Sequence, residues 1–178
     1  MRSSAPDALD RARRIRLMIF DVDGVLTDGR LWYGPTGEEL KVFHSFDGHG
    51  LKMLKASGVE LAIITGRTSR CVELRARNLG ITRLYQGVED KLAVMQSLLA
   101  EMKLAPEAAA FMGDDVVDLP VLRRVGLALS VPDAPQMVRD HAHYVSQRDA
   151  GHGAVREVCE LILGAQGTLD AQLAPYLR

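Results

Sequence analysis

The alternation of short apolar runs with stretches of helical periodicity is the feature of this sequence that most restricts its fold. The apolar runs are residues 15–20, 61–64, 84–85, 109–112 and 127–131. The helical stretches are residues 48–56, 69–79, 91–102, 119–125 and 154–163. Short buried strands that alternate with helices indicate a parallel sheet covered on both faces, with right-handed crossovers. The sequence therefore predicts an α/β, Rossmann-like fold.

One segment interrupts this alternation directly after the first apolar run. Two short strand-like pieces flank a turn that contains Gly34, Pro35 and Gly37, which predicts a β-hairpin over about residues 29–43. A chain of 178 residues corresponds to one domain of ordinary size. Apart from the small hairpin, that length leaves no room for a cap domain.

The predicted domain organisation has three parts. The polar residues 1–14 are expected to form a flexible arm, residues 15–164 the folded domain, and residues 165–178 a C-terminal tail.

Composition excludes several classes of function. A net charge of -1 provides no basic surface for nucleic acid, and no apolar run reaches the roughly 18 residues of a membrane span. Cys71 and Cys159 are far apart, which fits neither a disulfide framework nor a zinc site. We therefore expect a cytoplasmic protein without a secretory signal, and neither a nucleic acid nor a membrane as a partner.

Polar residues follow the apolar runs at the positions where strands should end. They are Asp21 and Asp23 after the first run, Thr65 and Arg67 after the second, Lys91 at the start of the helix after the third, and Asp114, Asp115 and Asp118 after the fourth. Ligands of open parallel sheets bind beyond the carboxyl ends of the strands, so these side chains should converge on one edge.

The residue types at this edge suit phosphoryl transfer. Clustered carboxylates repel one another, and a hard cation such as Mg²⁺ relieves that repulsion with oxygen ligands. A carboxylate can attack phosphorus and form an aspartyl-phosphate. The Thr65 hydroxyl and the Lys91 ammonium can neutralise the phosphoryl oxygens, while Asp23 can exchange a proton with the leaving group and with water.

These motifs, in this order, resemble the four motifs of the haloacid dehalogenase superfamily. The resemblance implies that Asp21 is the nucleophile and Asp23 the general acid and base. It implies Mg²⁺ held by Asp21, the backbone carbonyl of Asp23, and Asp114, with Asp115 and Asp118 as supporting residues.

A narrower resemblance covers residues from about 15 to 165 and is carried by residues 37–41, 47–50, 61–67 and 79–87. These segments are similar to a capless subfamily that releases phosphate from 3-deoxy-D-manno-octulosonate 8-phosphate, a step of lipopolysaccharide biosynthesis. The subfamily implies a homotetramer whose hairpins associate and whose C-terminal tails reach a neighbouring site.

The subfamily also implies a set of substrate contacts. They are Asp23, His44, Asp47, Gly48, Arg67, Arg75 and Lys91. Arginine pairs well with a sugar carboxylate because its guanidinium can donate two parallel hydrogen bonds. Many relatives have Asn-x-Arg-Asp-Gly where this chain has His44, Ser45 and Phe46 before Asp47, which keeps a nine-carbon sugar acid phosphate, or another small sugar phosphate, open as the substrate.

Two further expectations concern mechanism. Signalling receivers also place acidic residues, a threonine and a lysine on a parallel sheet, but their acidic pair comes first and the acceptor Asp later. Here Asp21 and Asp23 come first, and the order therefore favours a phosphatase. Without a cap, closure over the substrate is expected from the tail, residues 164–178.

Overall fold

A computed structural model describes residues 5–37 and 39–178 and contains two sheets. The strands are β1 (Leu17–Phe20), β2 (Trp32–Tyr33), β3 (Glu39–Leu40), β4 (Glu60–Ile64), β5 (Arg83–Tyr85), β6 (Ala109–Met112), β7 (Leu127–Ser130) and β8 (Tyr144–Val145). Strands β2 and β3 form the antiparallel hairpin, and the other six form a parallel sheet in the order β5-β4-β1-β6-β7-β8. The predicted parallel α/β architecture and the hairpin are confirmed.

Helices cover the sheet. They are α1 (Ala5–Ala12), α2 (Ser45–Ala56), α3 (Arg70–Leu79), α4 (Lys91–Met102), α5 (Leu119–Leu122), α6 (Gln136–Arg139), α7 (Ala154–Ala165) and α8 (Leu169–Leu173). Helices α1, α2 and α7 pack together, whereas α4 packs with α5. After β1 the chain adds β4 and β5 on one side of that strand and then β6, β7 and β8 on its other side. Right-handed crossovers therefore place these two groups of helices on opposite faces of the sheet. None of the helices in the described part of the chain is long and apolar enough to cross a membrane.

Strand β1 lies at the centre of the sheet and sets the position of the site. Its four residues are fully buried, and Phe20 is in register with Ile63 of β4 and Met112 of β6. Because a central parallel strand is covered on both faces, its sequence is uniformly apolar. The next residue, Asp21, therefore emerges at the carboxyl edge, and its N–H donates to Met112 O at 3.0 Å.

The N-terminal segment differs from the flexible arm predicted for residues 1–14. Residues 5–12 form α1, which packs against α7 with Ala8 and Ala12 fully buried. Two alanines four residues apart give the helix a small apolar face, which a count of polar residues does not reveal. Residues 1–4 of the predicted arm lie outside the described residues.

The C-terminal tail is also partly helical. After α7 the chain forms α8 and a 3₁₀ turn at Ala174–Tyr176, and the Tyr176 ring meets the His49 ring of α2 edge-on at 5.2 Å between centroids. Within one chain the tail therefore lies against α2.

Candidate active site

Asp21 and Lys91 lie next to each other at the carboxyl edge of the parallel sheet, where the site was predicted. Asp21 follows β1 and Lys91 is the first residue of α4, and Lys91 Nζ lies 2.8 Å from Asp21 Oδ2. Lys91 Nζ also donates to Asp118 Oδ1 at 2.7 Å. All three side chains are buried, so their charges interact in a poorly screened environment.

The loop after β6 is organised by Asp118. Its second oxygen accepts the backbone N–H groups of Asp114 at 3.0 Å and Asp115 at 3.2 Å. Asp115 in turn accepts the N–H of Val116 at 2.7 Å and caps the short 3₁₀ turn at Val116–Asp118. Asp118 thus connects the loop to Lys91.

Asp21, Asp114 and Asp118 offer carboxylate oxygens that lie within 4.8 Å of one another. Asp21 Oδ1 and Asp114 Oδ1 are buried without a hydrogen-bond partner among the residues that the structure describes. A buried anionic oxygen without a donor is costly, and a divalent cation would satisfy both. Because Asp118 already accepts three donors, Asp21 and Asp114 are the residues that best fit a cation.

Gly24 is required for this arrangement. Its φ of +83° suits glycine, and a Cβ at this position would overlap the carboxylate of Asp114. The glycine of the Asp-x-Asp-Gly motif therefore makes room for the carboxylate that arrives from β6.

Burial and repulsion shift the acid–base properties of the cluster. Burial raises the pKa of Asp21 above its ordinary value, and the charge of Asp118 adds to this increase although Lys91 opposes it. Burial, followed by the charges of Asp21, Asp118 and Asp115, raises the pKa of Asp114 to about 7. Burial works against the ammonium of Lys91, but Asp21 and Asp118 outweigh it and raise the pKa of Lys91.

An open cleft of about 550 Å³ lies over these groups. It is lined by Asp21, Asp23, Thr65, Gly66, Arg67, Val88, Glu89, Lys91, Asp114, Asp115 and Val117. The residues predicted from the ends of β1, β4 and β6 and from the start of α4 are thus brought together. Thr65 is buried at the end of β4, where its N–H donates to Tyr85 O at 3.0 Å.

Two charged residues near Asp23, Glu39 and Lys41, were not predicted from the sequence, and they lie beside the predicted Arg67. Lys41 donates to Asp23 Oδ1 and lies 3.3 Å from Glu39 Oε1. Arg67 lies 3.6 Å from Asp23 Oδ2 and 3.5 Å from Glu39 Oε1, and it also donates to the Tyr33 hydroxyl. Glu39 begins β3 and Lys41 directly follows that strand, and this spacing of two residues was the available signal that both face the same side.

Four residues predicted to bind substrate do not line the cleft of their own chain. His44 caps α2, where its Nδ1 accepts the N–H of Phe46 at 3.3 Å. Asp47 is 2% exposed and accepts the N–H of Arg156 at 2.8 Å, because the first turn of α2 faces the start of α7. Within the chain, one oxygen of Asp47 thus joins the start of α2 to the start of α7.

Gly48 and Arg75 form a second structural contact away from the cleft. A Cβ at Gly48 would overlap the guanidinium of Arg75, which donates to His44 O at 3.2 Å and covers the Phe43 ring at 5.6 Å. Gly48 is therefore the position that lets Arg75 cross the start of α2.

A parallel α/β domain with this cluster of acids and a lysine at its carboxyl edge defines a class of hydrolases. The haloacid dehalogenase-like hydrolase family matches residues 31–126, and the chain belongs to that family. The chain is 50% identical over 166 residues to the 3-deoxy-D-manno-octulosonate 8-phosphate phosphatase KdsC of Yersinia pestis. The matched region covers 93% of this chain and 89% of that protein.

Solved structures agree with this assignment. The crystal structure of 3-deoxy-D-manno-octulosonate 8-phosphate phosphatase from Moraxella catarrhalis, in complex with magnesium ion, phosphate ion and KDO, is 42% identical with a TM-score of 0.95. The match covers 97% of this chain and 99% of that one. A probable YrbI family phosphatase from Pseudomonas syringae is 53% identical with a TM-score of 0.96, over 98% of this chain and 99% of that chain.

Proposed function

We propose that this protein is a Mg²⁺-dependent phosphatase that hydrolyses 3-deoxy-D-manno-octulosonate 8-phosphate to the free sugar acid and phosphate, in lipopolysaccharide biosynthesis. The observation that carries the proposal is the Asp21 carboxylate, which faces the cleft beside Lys91, Asp114 and Thr65. The identity of about half of the residues with a phosphatase of that name, over nearly the whole chain, supports this substrate.

In the first step, an Asp21 oxygen attacks phosphorus and forms a P–O bond, while the bond from phosphorus to the sugar oxygen breaks. The electron pair of the broken bond stays on the sugar oxygen, which takes a proton from Asp23. Lys91 and Thr65 stabilise the negative charge of the phosphoryl oxygens. This step leaves a phospho-aspartate at Asp21.

In the second step, water attacks the phosphorus of the phospho-aspartate and gives a proton to Asp23. The bond from phosphorus to Asp21 then breaks, and the Asp21 carboxylate is restored. Asp21, the Asp23 carbonyl and Asp114 are the groups that would hold Mg²⁺. When bound, Mg²⁺ supplies a positive charge that lowers the repulsion among the carboxylates and neutralises the phosphate.

The recognition of the sugar acid is assigned first to Arg67, because its side chain is 44% exposed at the edge of the cleft. A planar guanidinium there can pair with a carboxylate. His44, Asp47, Gly48 and Arg75 remain predicted contacts, and any contact they make must be to the cleft of another subunit or follow a rearrangement.

We also infer a homotetramer in the cytoplasm. The hairpin exposes large apolar side chains, namely Leu31, Trp32, Tyr33, Leu40 and Val42, and such a patch usually marks a protein interface. Cys71 and Cys159 are free thiols, which fits a reducing compartment. Sedimentation velocity of the purified protein tests the assembly, and a monomer at micromolar concentration would contradict it.

Phosphate release from 3-deoxy-D-manno-octulosonate 8-phosphate, with and without Mg²⁺, tests the proposed function. We expect metal-dependent turnover that falls at least about a thousandfold in Asp21→Asn and stays unchanged in Asp133→Asn, an exposed carboxylate that serves as the matched control. A nine-carbon sugar acid phosphate is measured alongside, and a higher kcat/KM for that ester would reject the eight-carbon acid as the preferred substrate.

A further inference from the structure

Lys41 is the least expected charged residue near the cleft. It lies just after β3 of the hairpin, and its side chain is only 1% exposed. Its ammonium donates to Asp23 Oδ1 and lies 3.3 Å from Glu39 Oε1. A buried lysine is stable only when its charge is compensated, and these two carboxylates provide that compensation.

The position of Lys41 excludes a direct contact with substrate. Lys41 is not among the described residues that line the cleft, and its side chain is only 1% exposed. Asp23, in contrast, lines the cleft with one oxygen toward Lys41 and the other 3.6 Å from Arg67. Lys41 therefore acts on the reaction through the carboxylates that it contacts, and of these Asp23 is the one that lines the cleft.

Glu39 fixes the other side of Lys41. It pairs with Tyr33 across the hairpin, and its carbonyl accepts a contact from Cys71 Sγ of α3 at 3.3 Å. Burial would raise the pKa of Glu39, but Lys41 and Arg67 are among the groups that outweigh burial and lower it, so Glu39 stays charged. Lys41 is thus held between a hairpin that is anchored to α3 and the acid that follows β1.

We propose that Lys41 is a positioning residue for Asp23: the hairpin carries it under the cleft so that Asp23 presents its carboxyl group to the leaving oxygen of the substrate. The proposal rests on the proposed function, since it assigns a residue to the same reaction. It also gives the hairpin a second role, beside any role in assembly, as a support of the proton-transfer step.

The dependence of the rate on the leaving group separates this role from a merely structural one. A sugar alkoxide is a poor leaving group and needs a proton from Asp23, whereas p-nitrophenolate leaves without one. The constant kcat/KM reports the steps up to departure of the leaving group. A misplaced Asp23 should therefore slow the sugar ester far more than the p-nitrophenyl ester.

The experiment compares kcat/KM for both esters, with saturating Mg²⁺, in the wild type, Lys41→Met, Lys41→Arg and Lys52→Met. We expect Lys41→Met to lose about a hundredfold on the sugar phosphate and only about threefold on p-nitrophenyl phosphate. Lys41→Arg should recover part of the loss, because it keeps a cation beside Asp23. Lys52, an exposed lysine of α2, is the matched control and should change neither value.

An equal loss on both esters, or no loss on either, would overturn the proposal. If Lys41→Met does not fold, Lys41→Gln takes its place: its shorter, neutral side chain holds Asp23 less firmly, so we expect a smaller loss that is still greater on the sugar phosphate than on p-nitrophenyl phosphate. If the wild type does not hydrolyse the eight-carbon sugar phosphate, the proposed function fails, and the comparison is made with whichever alkyl phosphate the wild type does hydrolyse.

Discussion

Lys91 donates to Asp118 Oδ1 at 2.7 Å, and Asp118 has no exposed surface. The same lysine lies 2.8 Å from Asp21, the proposed nucleophile, so Asp118 determines where the positive charge beside Asp21 is placed. Because the second oxygen of Asp118 holds the N–H groups of Asp114 and Asp115, one buried carboxylate orients both the lysine and the acidic loop.

Asp118→Asn should therefore reduce both stability and activity. The amide can present an oxygen to Lys91 or to the loop but not to both, which leaves a buried charge or buried N–H groups without an acceptor. We expect a loss of about 3 kcal/mol in the free energy of unfolding, measured in urea, and a fall in kcat. Asp133→Asn is the exposed control, and equal stability of the two variants would contradict this account.

Binding of Mg²⁺ should depend on pH. The folded-state pKa of Asp114 is about 7 against an ordinary value of 3.8, so a cation must compete with a proton below pH 7. In the absence of substrate, we expect the affinity of the protein for Mg²⁺ to rise by up to about tenfold per pH unit toward pH 7 and then to level off. Titration calorimetry at pH values on both sides of 7 measures it, and an affinity independent of pH would refute the prediction.

The same shift predicts the pH dependence of stability without metal. Between pH 3.8 and about 7 the folded protein keeps a proton on Asp114 that the unfolded chain has lost. The stability that Asp114 contributes is therefore fully present below pH 3.8 and is lost as the pH rises through about 7. Urea unfolding in a chelating buffer should show a larger decrease for the wild type than for Asp114→Asn, in which Asp21 still has a raised pKa.

Gly24→Ala should weaken Mg²⁺ binding by about tenfold or more, because the added methyl group would displace the Asp114 carboxylate. Gly58→Ala is the matched control, since Gly58 also has a positive φ, +98°, but has open space where a Cβ would lie. Both variants should lose about 1 kcal/mol of stability from backbone strain. Only the first should lose affinity in a metal titration, and equal affinities would show that crowding at Asp114 does not matter.

Deletion of residues 169–178 tests the tail as a lid. We expect a change in KM or kcat with little change in the free energy of unfolding, because most of this segment is exposed. The deletion starts after Gln166, whose side chain donates to the carbonyls of Ala12 and Ile15 and belongs to the fold. Unchanged kinetics in a variant with an unchanged assembly state would reject the role.

The chemical core of the site could be predicted from the sequence because its information is local. Asp21 and Thr65 follow directly after a buried strand, Asp114 comes one residue later, after Gly113, and Lys91 begins a helix, so the order of elements alone brings them to one edge. The α/β architecture was readable for the same reason, since strand and helix periods differ along the chain.

Only the tertiary structure decided what the remaining residues touch. Lys41 reaches Asp23 from the end of the hairpin, Asp47 accepts the N–H of Arg156 in α7, and residues 5–12 pack as a helix on α7. The physical reason is that such contacts depend on how separate elements are oriented when the core closes, and neither spacing nor composition contains that orientation. The sequence by itself thus determined which acids, threonine and lysine meet at the carboxyl edge, and the packing of the hairpin and helices decided how that group is supported.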